Sequence, residues 1–211
     1  MFRRLFLNTV FSGAAFLVAG LIGLIIVPIL IKAYGIALFG LIVLARMLLP
    51  TGVLALFDFG FSEIAAQSVA RARETGEWLT ASRNVSLLIF GAAGVGAILA
   101  LGLFWLAPYV GDIFRIDSSQ RESFLAVVRV TGLALLVMFP ALVFEGIVKG
   151  FENYAIVRAA EVFGTLVYAT VAVGLAYGGF GYDTVAYAFL CSMLLRYALL
   201  LVAAYRLGVR H

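Results

Sequence analysis

The chain has 211 residues, of which 64% are hydrophobic and 12% are charged, and its formal net charge is +4. A water-soluble domain is about 45–50% apolar and about 25% charged, and a disordered chain is still more polar, so both classes are excluded. The positive charges are scattered between apolar runs and form no basic face, which argues against a nucleic-acid partner.

Six apolar runs are each long enough to cross a lipid bilayer, since a spanning helix needs about 20 residues. The runs do not alternate in polarity as membrane β-strands do, so they predict helices. The predicted spans are residues 10–31, 36–57, 85–110, 124–144, 162–181 and 184–205. Residues 58–84 are predicted as a cytoplasmic connection, made of an extension of the second helix and a short interfacial turn. The expected fold class is an all-α membrane protein, a six-helix bundle forming a single transmembrane domain over residues 1–211.

Lysine and arginine are distributed unequally between the two predicted sides of the membrane. With the amino terminus inside, the inner side carries Arg3, Arg4, Arg71, Arg73, Arg83, Lys149, Arg158, Arg206 and Arg210. The outer side carries only Lys32, Arg115 and Arg121. Because positive charge accumulates on the cytoplasmic side, both termini are predicted to be cytoplasmic.

Small residues recur four apart within the predicted spans, as at Gly146 and Gly150 and at Gly174 and Gly178. This spacing lets helix backbones approach closely, which matters where water does not drive association. We expect close packing within this chain; a dimer face is the alternative.

Three arginines fall inside predicted spans, and their depth separates them. A cation at the bilayer centre costs at least about 2.5 kcal/mol, so such residues usually face a bundle interior or a wet cavity. Arg129 is near the outer end of its span, where its long side chain can reach the headgroups. Arg46 and Arg196 each lie about ten residues from both ends of their spans, or about 15 Å.

We predict that Arg46 and Arg196 face a hydrated cavity and bind the anionic group of a transported molecule. A guanidinium group offers a fixed fork of donors that suits phosphate, and it stays charged at any relevant pH. The alternative is that each arginine is held by groups of its own bundle and binds nothing.

No carboxylate falls in the middle of a predicted span, where ion-coupled exporters usually keep one. Glu145 and Glu161 are predicted at the cytoplasmic ends of their helices. The sole histidine is His211, and neither a metal-binding cluster nor a nucleophile beside a base is visible. We therefore expect no enzyme activity, no metal and no cofactor.

Three segments resemble a known family. They are residues 31–40 (IKAYGIALFG), residues 56–62 (LFDFGFS) and residues 144–154 (FEGIVKGFENY). They are similar to polysaccharide biosynthesis proteins, which include the O-antigen and lipid-linked oligosaccharide flippases of the multidrug/oligosaccharidyl-lipid/polysaccharide exporter superfamily. The resemblance marks Asp58 and Gly60 as family motif positions without an assigned role, and it transfers no role to Arg46 or Arg196.

The resemblance implies a flippase of the bacterial inner membrane that serves the biosynthesis of surface polysaccharide. Its substrate would be an undecaprenyl-pyrophosphate-linked oligosaccharide, moved from the cytoplasmic to the periplasmic leaflet by alternating access. The family has two six-helix lobes around a central cavity, and this chain resembles the amino-terminal lobe alone. The expected partners are the lipid-linked oligosaccharide, membrane lipid, and either a missing second lobe, which we favour, or a parallel homodimer partner.

Two other functions stay open. A multidrug exporter of the same superfamily ranks second, because a cationic cavity repels cationic drugs and the coupling carboxylate is missing. A membrane scaffold or assembly subunit without transport activity is the third.

Overall fold

A computed structural model describes the chain at residues 2–47, 59–113 and 116–208, with side chains at residues 13–44, 59–113 and 116–208. The helices are α1 (Phe2–Met47), α2 (Phe61–Thr75), α3 (Trp78–Ile113), α4 (Ser118–Gly150), α5 (Tyr154–Tyr177) and α6 (Asp183–Gly208). No strand occurs in the described ranges. All these helices except α2 contain a stretch long and apolar enough to cross a membrane. The predicted all-α membrane bundle is confirmed.

The helix α1 contains a break at Gly35, where the first and second predicted spans meet. Gly35 has φ 80° and ψ 161°, a conformation that glycine adopts readily and other residues do not. Leu30 before the break and Ile42 after it are both buried in one apolar cluster. A single glycine therefore separates the two segments. The predicted spans, in contrast, leave a connection of four residues, 32–35, between them. Residues 48–58, which include the second half of the second predicted span (48–57), lie outside the described ranges.

The connection predicted over residues 58–84 contains a separate helix, α2. Phe59 and Gly60 both have positive φ, 49° and 68°, so α2 does not extend the preceding helix. One face of α2 is buried, and the opposite face is exposed and polar. The buried face consists of Phe61, Ser62, Ala65, Val69 and Ala72. The exposed polar face includes Glu63, Gln67, Arg71 and Glu74.

The helices run beyond the apolar stretches that predicted them. α3 begins at Trp78 and α4 continues to Gly150. The prediction followed hydrophobicity, whereas a helix continues as long as its backbone hydrogen bonds are made. The difference has a consequence in α4, because Glu145 and Lys149 lie inside the helix and not in the loop after it.

Helix α4 forms the centre of the bundle, and α2 packs closely against its final turns. A Cβ atom at Gly150 would lie 2.7 Å from the carbonyl oxygen of Ala66, and one at Gly146 would overlap the carbonyl oxygen of Ser62. The predicted close packing within the chain is confirmed at this pair. It is not found at Gly174, where a Cβ atom would meet nothing within 4 Å.

Candidate functional site

Arg196 lines a cavity of about 270 Å³ between α4, α5 and α6. The polar part of the lining consists of Glu161, Thr165, Ser192 and Arg196. The apolar part includes Met138, Tyr168, Phe189 and Met193. Such a mixed lining provides a few convergent polar groups on an apolar wall, which is typical of small-ligand sites.

The position of Arg196 depends on a close approach of α5 to α6. Gly164 on α5 faces it, and a Cβ atom at Gly164 would lie 3.2 Å from the Cβ atom of Arg196. The guanidinium carbon lies 5.4 Å from the ring centroid of Tyr197, within the range of a cation–π contact. The aliphatic part of the Arg196 side chain therefore packs against Gly164, and Arg196 contributes to the cavity lining.

The guanidinium group of Arg196 is only partly paired. Its Nη2 donates to Oε2 of Glu145 at 3.3 Å, and 23% of the arginine side chain is exposed. Its Nε is buried and has no hydrogen-bond partner among the described residues. A buried donor without a partner costs about 1–3 kcal/mol. The arrangement therefore leaves a permanent cation of the cavity lining incompletely hydrogen-bonded by the described residues.

Glu145 joins Arg196 to a second cation and to α2. Its Oε1 lies 3.0 Å from Nζ of Lys149, and Lys149 in turn donates to Oγ of Ser62 at 3.1 Å. The side chain of Glu145 is only 14% exposed. We call Arg196, Glu145, Lys149 and Ser62 the α6–α4–α2 network. The network holds two cations and one carboxylate, and Arg196 is its member in the cavity lining.

Glu145 corrects an expectation from the sequence. It does not end a helix, and it lies at the level of Arg196, far inside α6. The prediction ended the span at Phe144 and so placed Glu145 in a connection. The spacing of Glu145 and Lys149, four residues apart, is the signal that could have extended the helix, because such pairs stabilise helical surfaces.

A second carboxylate, Glu161, lies on the α5 side of the cavity. Its Oε2 accepts a hydrogen bond from Nη1 of Arg158 at 2.7 Å. Glu161 is therefore the acidic residue of the cavity lining, whereas Glu145 lies behind it as the partner of Arg196, and both carboxylates have basic partners. Among the described residues no group of three or more His, Cys, Asp or Glu side chains could hold a metal ion.

The other predicted site residues are only partly described. Arg46 has a described backbone in α1, but its side chain lies outside the described residues, as does the whole of Asp58. The joint cavity of Arg46 and Arg196 therefore stays a prediction. Gly60 precedes α2 with a left-handed backbone, so its described role is conformational. Arg129, in contrast to Arg196, is exposed on the surface of α4.

Two tyrosines, Tyr34 beside the break in α1 and Tyr182 just before α6, bring two hydroxyl groups together at the other end of the bundle. The rings of Tyr34 and Tyr182 meet edge to face with centroids 6.4 Å apart, and both hydroxyls are buried without a hydrogen-bond partner in the described part of the chain. Burial raises the pKa of the Tyr182 hydroxyl above its usual value, and the carboxylate of Asp183 raises it further. The raised pKa keeps the Tyr182 phenol neutral, so it carries no charge toward a ligand.

Comparison with known proteins identifies a family. Over residues 29–210 the chain matches a family model described as polysaccharide biosynthesis protein. This range includes every residue of the α6–α4–α2 network and the whole cavity lining. No curated protein and no solved structure matches the chain.

Proposed function

Because this multi-pass membrane chain belongs to the polysaccharide biosynthesis protein family, we propose that it flips a lipid-linked oligosaccharide across the bacterial inner membrane. The proposed substrate is an undecaprenyl-pyrophosphate-linked oligosaccharide, and the proposed mechanism is alternating access. The step would supply glycan units to the outer leaflet for a surface polysaccharide such as O-antigen.

The observation that carries the proposal is the partly paired Arg196 beside the cavity. The diphosphate of a lipid-linked oligosaccharide presents several acceptor oxygens, which suit the fork of guanidinium donors. In surroundings of low dielectric constant such a pair is stronger than in water. Arg196 would therefore bind the diphosphate and fix the orientation of the substrate.

The size of the cavity limits what it can hold. At about 270 Å³ it is slightly smaller than typical small-ligand sites, which start at about 300 Å³. It can take a headgroup, but a whole oligosaccharide needs more space. We propose that a second six-helix unit completes the path, either the other lobe of a longer chain or a parallel second copy.

Transport by reconstituted protein tests the proposal. The native protein would be placed in liposomes with a fluorescent lipid-linked oligosaccharide, and an impermeant quencher would report how much of it remains in the outer leaflet. We expect the wild type to accelerate flipping and Arg196→Leu to abolish the acceleration. Arg129→Leu is the matched control, because this exposed arginine lies away from the cavity. Normal expression of Arg196→Leu with unchanged flipping would remove this residue from the mechanism.

A cation-coupled multidrug exporter remains the second candidate. The sequence argued against it because no carboxylate falls in the middle of a predicted span, but one structural observation supports it. Glu161 lines the cavity and Glu145 adjoins it, so carboxylates that could bind a coupling ion do lie within the bundle. The permanent cation of Arg196 in the lining still opposes a cationic drug. Efflux of ethidium from cells that produce the native protein distinguishes the two functions, since a flippase should not export it.

A further inference from the structure

Another cavity, of about 350 Å³, lies between α2 and the first turns of α3. Its volume falls within the range of small-ligand sites, about 300–1,000 Å³. Most of its lining is polar, and none of the lining residues belongs to the cavity of Arg196. The polar residues are Gln67, Ser68, Arg71, Thr75, Glu77, Thr80 and Asn84. We call this cavity the α2–α3 cleft.

The α2–α3 cleft contains two opposite charges that are not paired with each other. Arg71 is exposed on α2, and Glu77 is exposed just before α3. Neither side chain makes an ion pair or a hydrogen bond with another described residue. The hydroxyl of Thr75 bonds to their backbones, donating to the carbonyl oxygen of Arg71 and accepting from the N–H of Glu77. A ligand that carries both charges can therefore engage both side chains without displacing a partner.

The α2–α3 cleft lies at the level of the membrane surface. No charged residue lies between Arg83 and Asp112, so the part of α3 in the hydrocarbon begins near residue 85. α2 runs antiparallel to α3 about the turn at Gly76, because a Cβ atom at Gly91 would lie 3.7 Å from the ring of Phe61.

This pairing of α2 with α3 gives the depth of each lining residue. Arg71 is level with residue 81, which at 1.5 Å per residue is about 6 Å outside the hydrocarbon. The headgroup layer is about 5–7 Å thick on each side, so Arg71 lies within it. Ile64, an exposed apolar residue of the lining, is level with residue 88 and so with the apolar part of α3. Glu77 lies about one helical turn farther out than Arg71.

We infer that the α2–α3 cleft binds the headgroup of a zwitterionic phospholipid, one that carries a phosphate and a primary ammonium group, as phosphatidylethanolamine does. From the hydrocarbon outward the lining offers an apolar residue, a cation and a carboxylate. Such a lipid presents acyl chains, a phosphate and an ammonium group in the same order. Arg71 would bind the phosphate and Glu77 the ammonium group, through charge-assisted hydrogen bonds. A lipid with an anionic group alone leaves Glu77 unpaired.

The bound lipid would hold the hairpin of α2 and α3 at the membrane surface. α2 also packs on α4 and carries Ser62, which accepts a hydrogen bond from Lys149. The inference does not rest on the proposed function, because it uses neither Arg196 nor the cavity beside it. It holds whatever the chain transports.

The experiment measures the binding of short-chain lipids to the purified native protein by native mass spectrometry. The two lipids are dioctanoyl phosphatidylethanolamine and dioctanoyl phosphatidylglycerol, which has the phosphate but no ammonium group. We expect the wild type to bind phosphatidylethanolamine about tenfold more tightly, the effect of one hydrogen bond to a charged group. Glu77→Gln should remove this preference, and Arg71→Gln should weaken the binding of both lipids. Both changed side chains are exposed, so the variants should fold as the wild type does.

The matched controls are Glu74→Gln and Arg83→Gln, which remove exposed charges of the same two helices outside the lining. Both should bind the two lipids as the wild type does. Equal affinities of the wild type for the two lipids would overturn the inference, as would a preference that persists in Glu77→Gln or unchanged binding by Arg71→Gln.

Free phosphoethanolamine separates a lipid from a soluble compound with the same headgroup. We expect it to displace the lipid only in large excess, because it has no acyl chains to add to the binding. If it competes as well as an equal concentration of the lipid, the ligand is a soluble compound, and the inference of a phospholipid is wrong.

Discussion

Nη2 of Arg196 lies 3.3 Å from Oε2 of Glu145, although the two residues are 51 positions apart and belong to different helices. This ion pair connects the centre of α6 to α4, and Lys149 extends the connection to α2. Arg196 is therefore mostly buried but not fully satisfied by its own bundle. It is held by one carboxylate and lines a cavity.

Replacing Glu145 with leucine should destabilise the protein. The change leaves Arg196 with no carboxylate partner in a position that is only 23% exposed. We expect a loss of about 2 kcal/mol, between the values of exposed pairs and of fully buried ones. The double variant Glu145→Leu/Arg196→Leu should recover part of this loss, because Lys149, which keeps its hydrogen bond to Ser62, is then the one cation of the network that has lost its carboxylate partner. Thermal unfolding in detergent measures both. A double variant less stable than Glu145→Leu would contradict the prediction.

The contact between α2 and α4 predicts that Gly150→Ala is destabilising. The added methyl group would lie 2.7 Å from the carbonyl oxygen of Ala66 and 2.7 Å from Cβ of Val69, so the helices must separate. Overpacking of this kind costs about 1–3 kcal/mol. Gly102→Ala in α3 is the control, since a Cβ atom there meets nothing within 4 Å. Equal melting temperatures of the two variants would argue against the close packing.

Enlarging Gly164 should block the cavity without changing any charge. In Gly164→Leu the new side chain competes with the stem of Arg196, whose Cβ and Cδ atoms lie within 3.7 Å of the position of a Cβ atom at Gly164. We expect the variant to lose binding of farnesyl diphosphate, a soluble isoprenyl diphosphate, measured by calorimetry. Gly174→Leu on the same helix faces open space and should bind normally. If both variants bind the probe equally, the anion does not use this cavity.

The buried hydroxyl of Tyr182 predicts a dependence of stability on alkaline pH. Because its pKa is raised in the folded chain, the neutral phenol contributes stability that is complete below the unfolded pKa of about 10. That stability is lost as the pH rises toward the folded pKa. In Tyr182→Phe this part of the alkaline loss should disappear, and at neutral pH the variant should be at least as stable as the wild type, since the buried hydroxyl has no hydrogen-bond partner among the described residues.

Unfolding followed by tryptophan fluorescence between about pH 8 and pH 11 measures the effect of Tyr182→Phe. The control is Tyr177→Phe, which changes an exposed tyrosine near the same end of the bundle. An alkaline loss of equal size in Tyr182→Phe and the wild type would show that another group is responsible.

Part of the candidate site could be predicted from the sequence. Arg196 stands out because a cation within a long apolar run must leave the lipid, whichever helices surround it. Gly146 and Gly150 stand out because their spacing puts two small residues on one face of a helix. Glu145 does not stand out, because hydropathy ends the apolar run at Phe144, whereas the helix continues to Gly150.

The sequence by itself determined that the chain is an all-helical membrane protein, because hydrophobicity and length depend only on local composition, and its family follows from matched residues. Only the tertiary structure decided that Glu145 meets Arg196 and that α2 returns to pack on α4. Such pairs form between residues far apart in the chain. Their identity depends on the rotation and height of each helix against the next, which the pattern along a single helix does not determine.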